Sequence, residues 1–265
     1  MQKTLLLLAI LTLTSCASKN INMTKPSFHK NKVIAHRGAW KGINTSQNSI
    51  ASLKQAIALG CYGSELDLHM TSDSILIVNH DITWGGLNVQ KSTLAELRKT
   101  PLSNGEPLPL LEDMLKIIKN QTGTKLILEI KSSDRGREWA NATVKKIVNA
   151  IRDYKAQEWI SYIAFDYEIC KEVLRLNPSA DVQYLMGNKA PDQLKKDGIK
   201  GADYHYSVYQ SKPEWIQQAK QLGIILNAWT VDKLEEMQWL LNRDIDMITT
   251  DEPEMLFKEL ERRKK

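Results

Sequence analysis

Residues 63–73 read Gly-Ser-Glu-Leu-Asp-Leu-His-Met-Thr-Ser-Asp, with acid and leucine alternating over Glu65, Leu66, Asp67 and Leu68. In a β-strand that alternation sends both carboxylates to one face and both leucines to the other. Two like charges so placed repel, and one pKa rises unless a cation or strong donors stand between them. A third acid, Glu129, lies late in another strand-like run and is followed by Lys131. Three carboxylates delivered to one rim need a compensating cation. All-oxygen ligands select a hard divalent ion, Mg2+ or Ca2+ with Mn2+ next, over zinc. Beside them fall His36-Arg37, after the run 33–35, and His80-Asp81, after the run 75–78. A divalent ion, two imidazoles and the fixed cations Arg37 and Lys131 suit a phosphate ester. The ion draws charge from a non-bridging oxygen, the cations hold the other oxygens, and His36 and His80 serve as general base and general acid.

These residues meet only if strands bring them together. From Lys32 onward, short apolar runs alternate with segments of helical period. Strands are expected at 33–35, 62–70, 125–130, 160–165, 182–186, 204–208, 224–229 and 247–249. Helices are expected at 49–59, 111–119, 137–154, 169–176, 191–196, 213–222, 233–241 and 254–263. The first helix shows its stripe at Ile50, Leu53 and Ile57 and its stop at Gly60. Eight strand-helix pairs predict an α/β fold, a (β/α)8 TIM barrel with a parallel sheet covered by helices. Chemistry in such a barrel is built at the C-terminal ends of the strands, where the polar residues above fall, along with Asp166, His205, Trp229 and Asp251. Taken singly, Asp166 and Asp251 read as loop caps. Residues 84–107, with Gly85-Gly86 and a short helical run at 94–99, predict a small lid-like insertion after strand 2.

The 265 residues carry 36 Lys and Arg against 31 Asp and Glu, a net charge of +5, and are 42% hydrophobic and 25% charged. Such proportions describe one globular domain and exclude a disordered or multi-span membrane chain. Basic residues are scattered except at the C-terminus, and no zinc-finger or RNA-motif spacing occurs, so nucleic acid is excluded as a partner. Nothing marks a protein partner. Cys61 and Cys170 lack motif spacing and read as two buried thiols. The N-terminus differs: Lys3, an apolar run at 5–13 and then Leu13-Thr14-Ser15-Cys16 have the parts of a secretory signal. LTSC is similar to the lipobox of bacterial lipoproteins. We therefore expect 1–15 to be a signal peptide, Cys16 to be lipidated, 17–31 to be a polar tether and 32–265 to be the barrel. The resulting protein is lipid-anchored in the cell envelope, faces the periplasm and touches the membrane through its anchor only.

Seven segments carry a family resemblance: IAHRG at 34–38, SQNS at 46–49, GSELDLHMTSD at 63–73, VNHD at 78–81, LILEIK at 126–131, NAWTVD at 227–232 and ITTDEP at 248–253. As an ordered set, they resemble the glycerophosphodiester phosphodiesterase family over residues 33–256. The resemblance implies a TIM barrel with an insertion after strand 2 and a small-molecule phosphodiester substrate, hydrolysed to glycerol 3-phosphate and an alcohol. It also implies metal ligation by Glu65, Asp67 and Glu129, acid/base catalysis by His36 and His80, and phosphate binding by Arg37 and Lys131. Trp229, at the barrel mouth, either stacks on a glycerol or sugar face or packs the mouth. One departure stands out: where many members read PEN, this chain has Ser46-Gln47-Asn48, an amide in place of a glutamate. His69 and His205 lie outside the pattern and are expected to make local hydrogen bonds, with a place in the leaving-group pocket as the other reading. Two rival readings remain at this stage. One is a phosphodiesterase for another head group, such as a phosphoinositide, lysophospholipid or polyol phosphate; the other is a catalytically silent lipoprotein that binds phosphorylated polyols, supported by Gln47 alone.

Overall fold

A computed structural model describes residues 25–264, so the expected signal sequence and the lipidation site Cys16 lie outside the described residues. The chain runs β1 (Val33–Ala35), α1 (Ile50–Ala58) and β2 (Gly63–Met70), then through an insertion with β3 (Leu76–Val78), β4 (Thr83–Trp84), β5 (Leu87–Asn88) and α2 (Leu94–Leu97). It continues with α3 (Leu111–Ile118), β6 (Lys125–Ile130), α4 (Arg137–Asp153), β7 (Ile160–Ala164), α5 (Tyr167–Leu176), β8 (Val182–Tyr184) and α6 (Pro191–Lys196). The last part holds β9 (Gly201–His205), α7 (Tyr206–Ser211), α8 (Glu214–Leu222), β10 (Ile225–Trp229), α9 (Leu234–Leu241), β11 (Met247–Thr250) and α10 (Pro253–Arg262). Strands β1, β2 and β6 to β11 pair in parallel in chain order, and β11 returns to β1, closing an eight-stranded barrel. The expected fold class is the observed one.

Closure divides the apolar residues into two cores. All eight residues of β2 are buried, because helices cover one face and the barrel lumen takes the other. Leu66 and Leu68 join the outer core with Leu53, Leu115 and Val144, whereas Ile34, Ile127, Ile163 and Leu185 form a separate plug inside the barrel. Each such side chain contributes roughly 2 kcal/mol on leaving water. The plug is a floor, and it forces the polar residues of the lumen upward to the C-terminal rim. At the opposite rim, the chain before β1 is already held: Ser27 N and His29 N donate to the carbonyls of Thr122 and Gly123, and Phe28 meets Tyr62 edge to face at 6.4 Å.

The insertion follows β2. Strand β3 pairs antiparallel with its C-terminal half, matching Leu68 to Val78 and Met70 to Leu76. Gly85 and Gly86, with φ of 56° and 79°, make the two-residue turn between β4 and β5, a geometry that L side chains resist. Ile77, Val89, Leu97, Leu102 and Leu108 give this unit its own small core. One element differs from the sequence expectation. The sixth barrel strand is Gly201–His205, not 204–208, and the residues after it form α7. The aromatic run around Tyr204 drew the strand too late, since Gly and Asp are poor strand formers. Gly201 is there because Gln183 packs against it; a Cβ would lie 2.4 Å from Gln183 Cγ.

Candidate active site

β1 ends in a sharp turn that exposes backbone and side chain together. Arg37 and Gly38 both take left-handed φ, 52° and 77°, and a Cβ on Gly38 would lie 2.3 Å from Ser52 Oγ. Only glycine fits there. The turn aims Arg37 N at Glu65, donating to Oε2 at 2.8 Å, and sends the guanidinium to Gln47, where Nη1 donates to Oε1 at 2.7 Å. Arg37 Nε is buried without a partner, 3.8 Å from Asp67 Oδ2. Asn48, itself at φ 60°, clips Asp67 reciprocally: its Nδ2 donates to Oδ2 at 2.8 Å and its Oδ1 accepts from Asp67 N at 3.1 Å.

The parallel register of β2 and β6 sets Asp67 directly beside Glu129. One oxygen from each of Glu65, Asp67 and Glu129 lies within 4.8 Å of the others, and all three residues are buried. Lys131, two residues past Glu129, bridges Asp67 Oδ1 at 2.8 Å and Glu129 Oε1 at 2.7 Å. In this structure Lys131 is engaged by the acids, and its ammonium already balances part of their charge. It does not balance all of it. Three carboxyls face two cations, and Glu65 Oε1 is buried with no partner at all. Burial pushes the Glu65 pKa well above the usual range, and repulsion from Asp67 and Glu129 adds to it. Burial also raises Glu129, against the pull of Lys131. Asp67 goes the other way: burial works against it, but Lys131 and Asn48 outweigh burial and hold it low. A purely oxygen donor set with one excess charge and one orphaned buried oxygen fits a hard divalent cation.

Two imidazoles stand over these acids. His36 Nδ1 pairs with Asp251 Oδ1 at 2.8 Å, and Trp40 Nε1 donates to the same oxygen at 2.8 Å. His80 Nδ1 pairs with Asp81 Oδ1 at 2.7 Å. Burial lowers the His80 pKa, while Asp67 pulls it back up. Both rings line a pocket of about 120 Å³ that also reaches Glu65, Glu129, Asp203 and Trp229. Arg37 and His80 also border a second, wider groove of about 450 Å³ between Trp40 and Trp84.

Each predicted site residue from the described part of the chain falls at this rim. Trp229 lines the pocket, with its Nε1 donating to the Asp203 carbonyl at 2.9 Å and its ring edge-on to Phe165 at 5.3 Å. His69 and His205 are local, as expected: His69 Nε2 lies 3.3 Å from the His80 carbonyl, and His205 caps α7. Burial lowers the His69 pKa to about 4, keeping it neutral. Asp166 is the N-cap of α5, again as expected. Asp251 is not a cap, for it holds His36. Asn48, Asp81 and Asp203 were also missed as site residues; Asp81 was legible as the neighbour of His80, whereas Asp203 had no signal in one dimension. Cys61 and Cys170 are buried free thiols whose burial pushes both pKa values to about 12.

A parallel barrel with an acidic cluster, two aspartate-paired imidazoles and two half-buried cations at its C-terminal rim belongs to the class of TIM-barrel enzymes built for phosphate esters. The model of the glycerophosphoryl diester phosphodiesterase family matches residues 36–255. A glycerophosphodiester phosphodiesterase of Caldanaerobacter subterraneus is 30% identical over 241 residues, covering 86% of this chain and 96% of the relative. The crystal structure of a glycerophosphodiester phosphodiesterase from Parabacteroides distasonis is 42% identical, with a TM-score of 0.87, covering 91% of this chain and all of that one. An Oleispira antarctica phosphodiesterase, solved with the product sn-glycerol-3-phosphate, shares the fold at 23% identity and a TM-score of 0.72. The chain belongs to the glycerophosphoryl diester phosphodiesterase family and is an enzyme of that family.

Proposed function

We propose that the protein hydrolyses glycerophosphodiesters to glycerol 3-phosphate and an alcohol, using a divalent cation held by Glu65, Asp67 and Glu129. One observation carries this reading: three carboxyls within 4.8 Å of one another lie beneath two imidazoles whose Nδ1 atoms are each held by an aspartate. The product bound to the Oleispira enzyme supports the glycerol arm.

A bound cation would supply charge withdrawal from a non-bridging phosphate oxygen. This chain's own residues do the rest. Arg37 holds a phosphate oxygen, and Lys131 can turn from its two carboxylates to another. A diester has two arms, and the rim offers two spaces meeting at Arg37 and His80: the small pocket for the glycerol and the wider groove for the alcohol. With Nδ1 of each ring occupied, Nε2 is the atom left to move protons. His36 takes a proton from the attacking water as the water oxygen bonds to phosphorus. His80, at the mouth of the groove, gives a proton to the departing alcohol oxygen as that P–O bond breaks. The incoming phosphate charge raises the His80 pKa that burial had lowered. We further propose that Cys16 is lipidated and that the enzyme works in the cell envelope, facing the periplasm.

The test is release of glycerol 3-phosphate from glycerophosphoethanolamine after exhaustive chelation, and after add-back of Mg2+, Ca2+ or Mn2+. Turnover should vanish and return with one or more of these ions; undiminished turnover in chelator would end the metal assignment.

A further inference from the structure

Across the small pocket from the acids' strands, β9 to β11 carry polar residues that the reaction above does not use. Asp203 and Asn227 are register partners on β9 and β10, and Asn227 and Thr249 hydrogen-bond one another at 3.0 Å. Asp203 is 1% exposed, lines the small pocket alongside Thr249, and has an Oδ1 with no hydrogen-bond partner. A buried carboxyl oxygen left without a hydrogen-bond partner is costly, and an apolar residue would be cheaper at this position. The walls of the pocket are Ile163, Phe165, Leu185 and Trp229. Apolar sides around the unpaired Asp203 oxygen fit a short carbon chain that bears a hydroxyl.

We propose that Asp203 is a substrate-specificity residue whose carboxyl hydrogen-bonds a free hydroxyl of the glycerol arm, so that the enzyme selects polyol diesters over alkyl ones. The inference rests on the glycerophosphodiester reading and deepens it. Burial pushes the Asp203 pKa to about 8, with Asn227 lowering and Glu129 raising it. That direction favours the neutral acid, and a neutral acid does not repel the phosphate and can donate to a hydroxyl oxygen. A site built to pair a hydroxyl rejects the analogue without it, because its own polar atom is then left unpaired.

Two measurements test this on the full enzyme. The first compares kcat/KM for glycerophosphoethanolamine and for propylphosphoethanolamine, which has the same leaving group but no glycerol hydroxyls. The wild type should prefer the glycerol diester, and Asp203→Ala should reduce that preference on the order of 10- to 100-fold, mainly through KM. The second is calorimetric binding of glycerol 3-phosphate and of propyl phosphate, which needs no turnover. Asp203→Ala should weaken the former about tenfold or more and leave the latter within about twofold. Asp203→Asn, of the same shape, guards against loss of folding and should show a smaller change in the same direction. An unchanged preference, or equal losses on both members of each pair, would overturn the role of Asp203. A wild type that hydrolyses no glycerophosphodiester would sink the proposed function instead, while the binding comparison still decides the inference.

Discussion

His36 and His80 each spend Nδ1 on an aspartate, and that pairing fixes which nitrogen is left for chemistry. Removing either ring deletes a proton-transfer group without opening the core. His36→Ala and His80→Ala should each lower kcat by roughly 10²- to 10⁴-fold, with circular dichroism and divalent-ion binding retained. Wild-type rates in either variant would remove that ring from the mechanism. Gln47 stands where the resembled motif has a glutamate, and its amide still accepts from Arg37 Nη1. The arginine keeps its orientation but meets a neutral partner, so more of its charge is available to a phosphate. That contact removes the one support for a silent binding protein, because the amide does the orienting a glutamate would do.

The β1 turn and the insertion are the elements that hold these residues. A Cβ at Gly38 would collide with Ser52, and the φ of 77° is unfavourable for any other residue. Gly38→Ala should cost about 2 kcal/mol or more, seen as a lower denaturation midpoint. The insertion is held on β2 through His69, which bonds the His80 carbonyl and approaches Gln90 Nε2 at 3.3 Å. Its pKa is near 4 in the fold against 6.5 for a free imidazole. The unfolded chain therefore binds the proton first, so this part of the stability is complete above about pH 6.5 and is lost as pH falls toward about 4. Urea midpoints between these pH values should fall for the wild type and fall less for His69→Gln; parallel curves would contradict the assignment. Both features were partly readable beforehand. The glycine pair at 85–86 marked the insertion, but neither its hairpin nor the tertiary partner of Gly38 showed.

At the scale of the whole molecule, the barrel has two unlike ends. The chain enters at the N-terminal rim, with Ser27 and His29 bonded to Thr122 and Gly123, while the acids and imidazoles open at the other rim. Among the described residues, no helix is long and apolar enough to cross a membrane. If Cys16 carries the anchor, membrane association depends on that one residue. Cys16→Ser should move the protein from the membrane fraction to the soluble fraction with kcat/KM on a soluble diester unchanged, measured by fractionation and assay. Continued membrane association would argue against the lipobox.

The sequence alone determined the barrel, because eight apolar runs each followed by a helical stripe have few other ways to bury both faces of a parallel sheet. It also singled out the three acids, since charge in strands is costly enough to mark itself, and the two histidines that follow strands beside them. The tertiary structure decided what those groups touch. Lys131 lies between Asp67 and Glu129 only because register places those two acids side by side. Asp251 reaches His36 across the β11–β1 closure, 215 residues away in the chain, and Asp203 became part of the pocket only when the sixth strand began three residues before its expected start. Contacts made by closing a ring depend on register and stagger, and neither is written in a local pattern of residues.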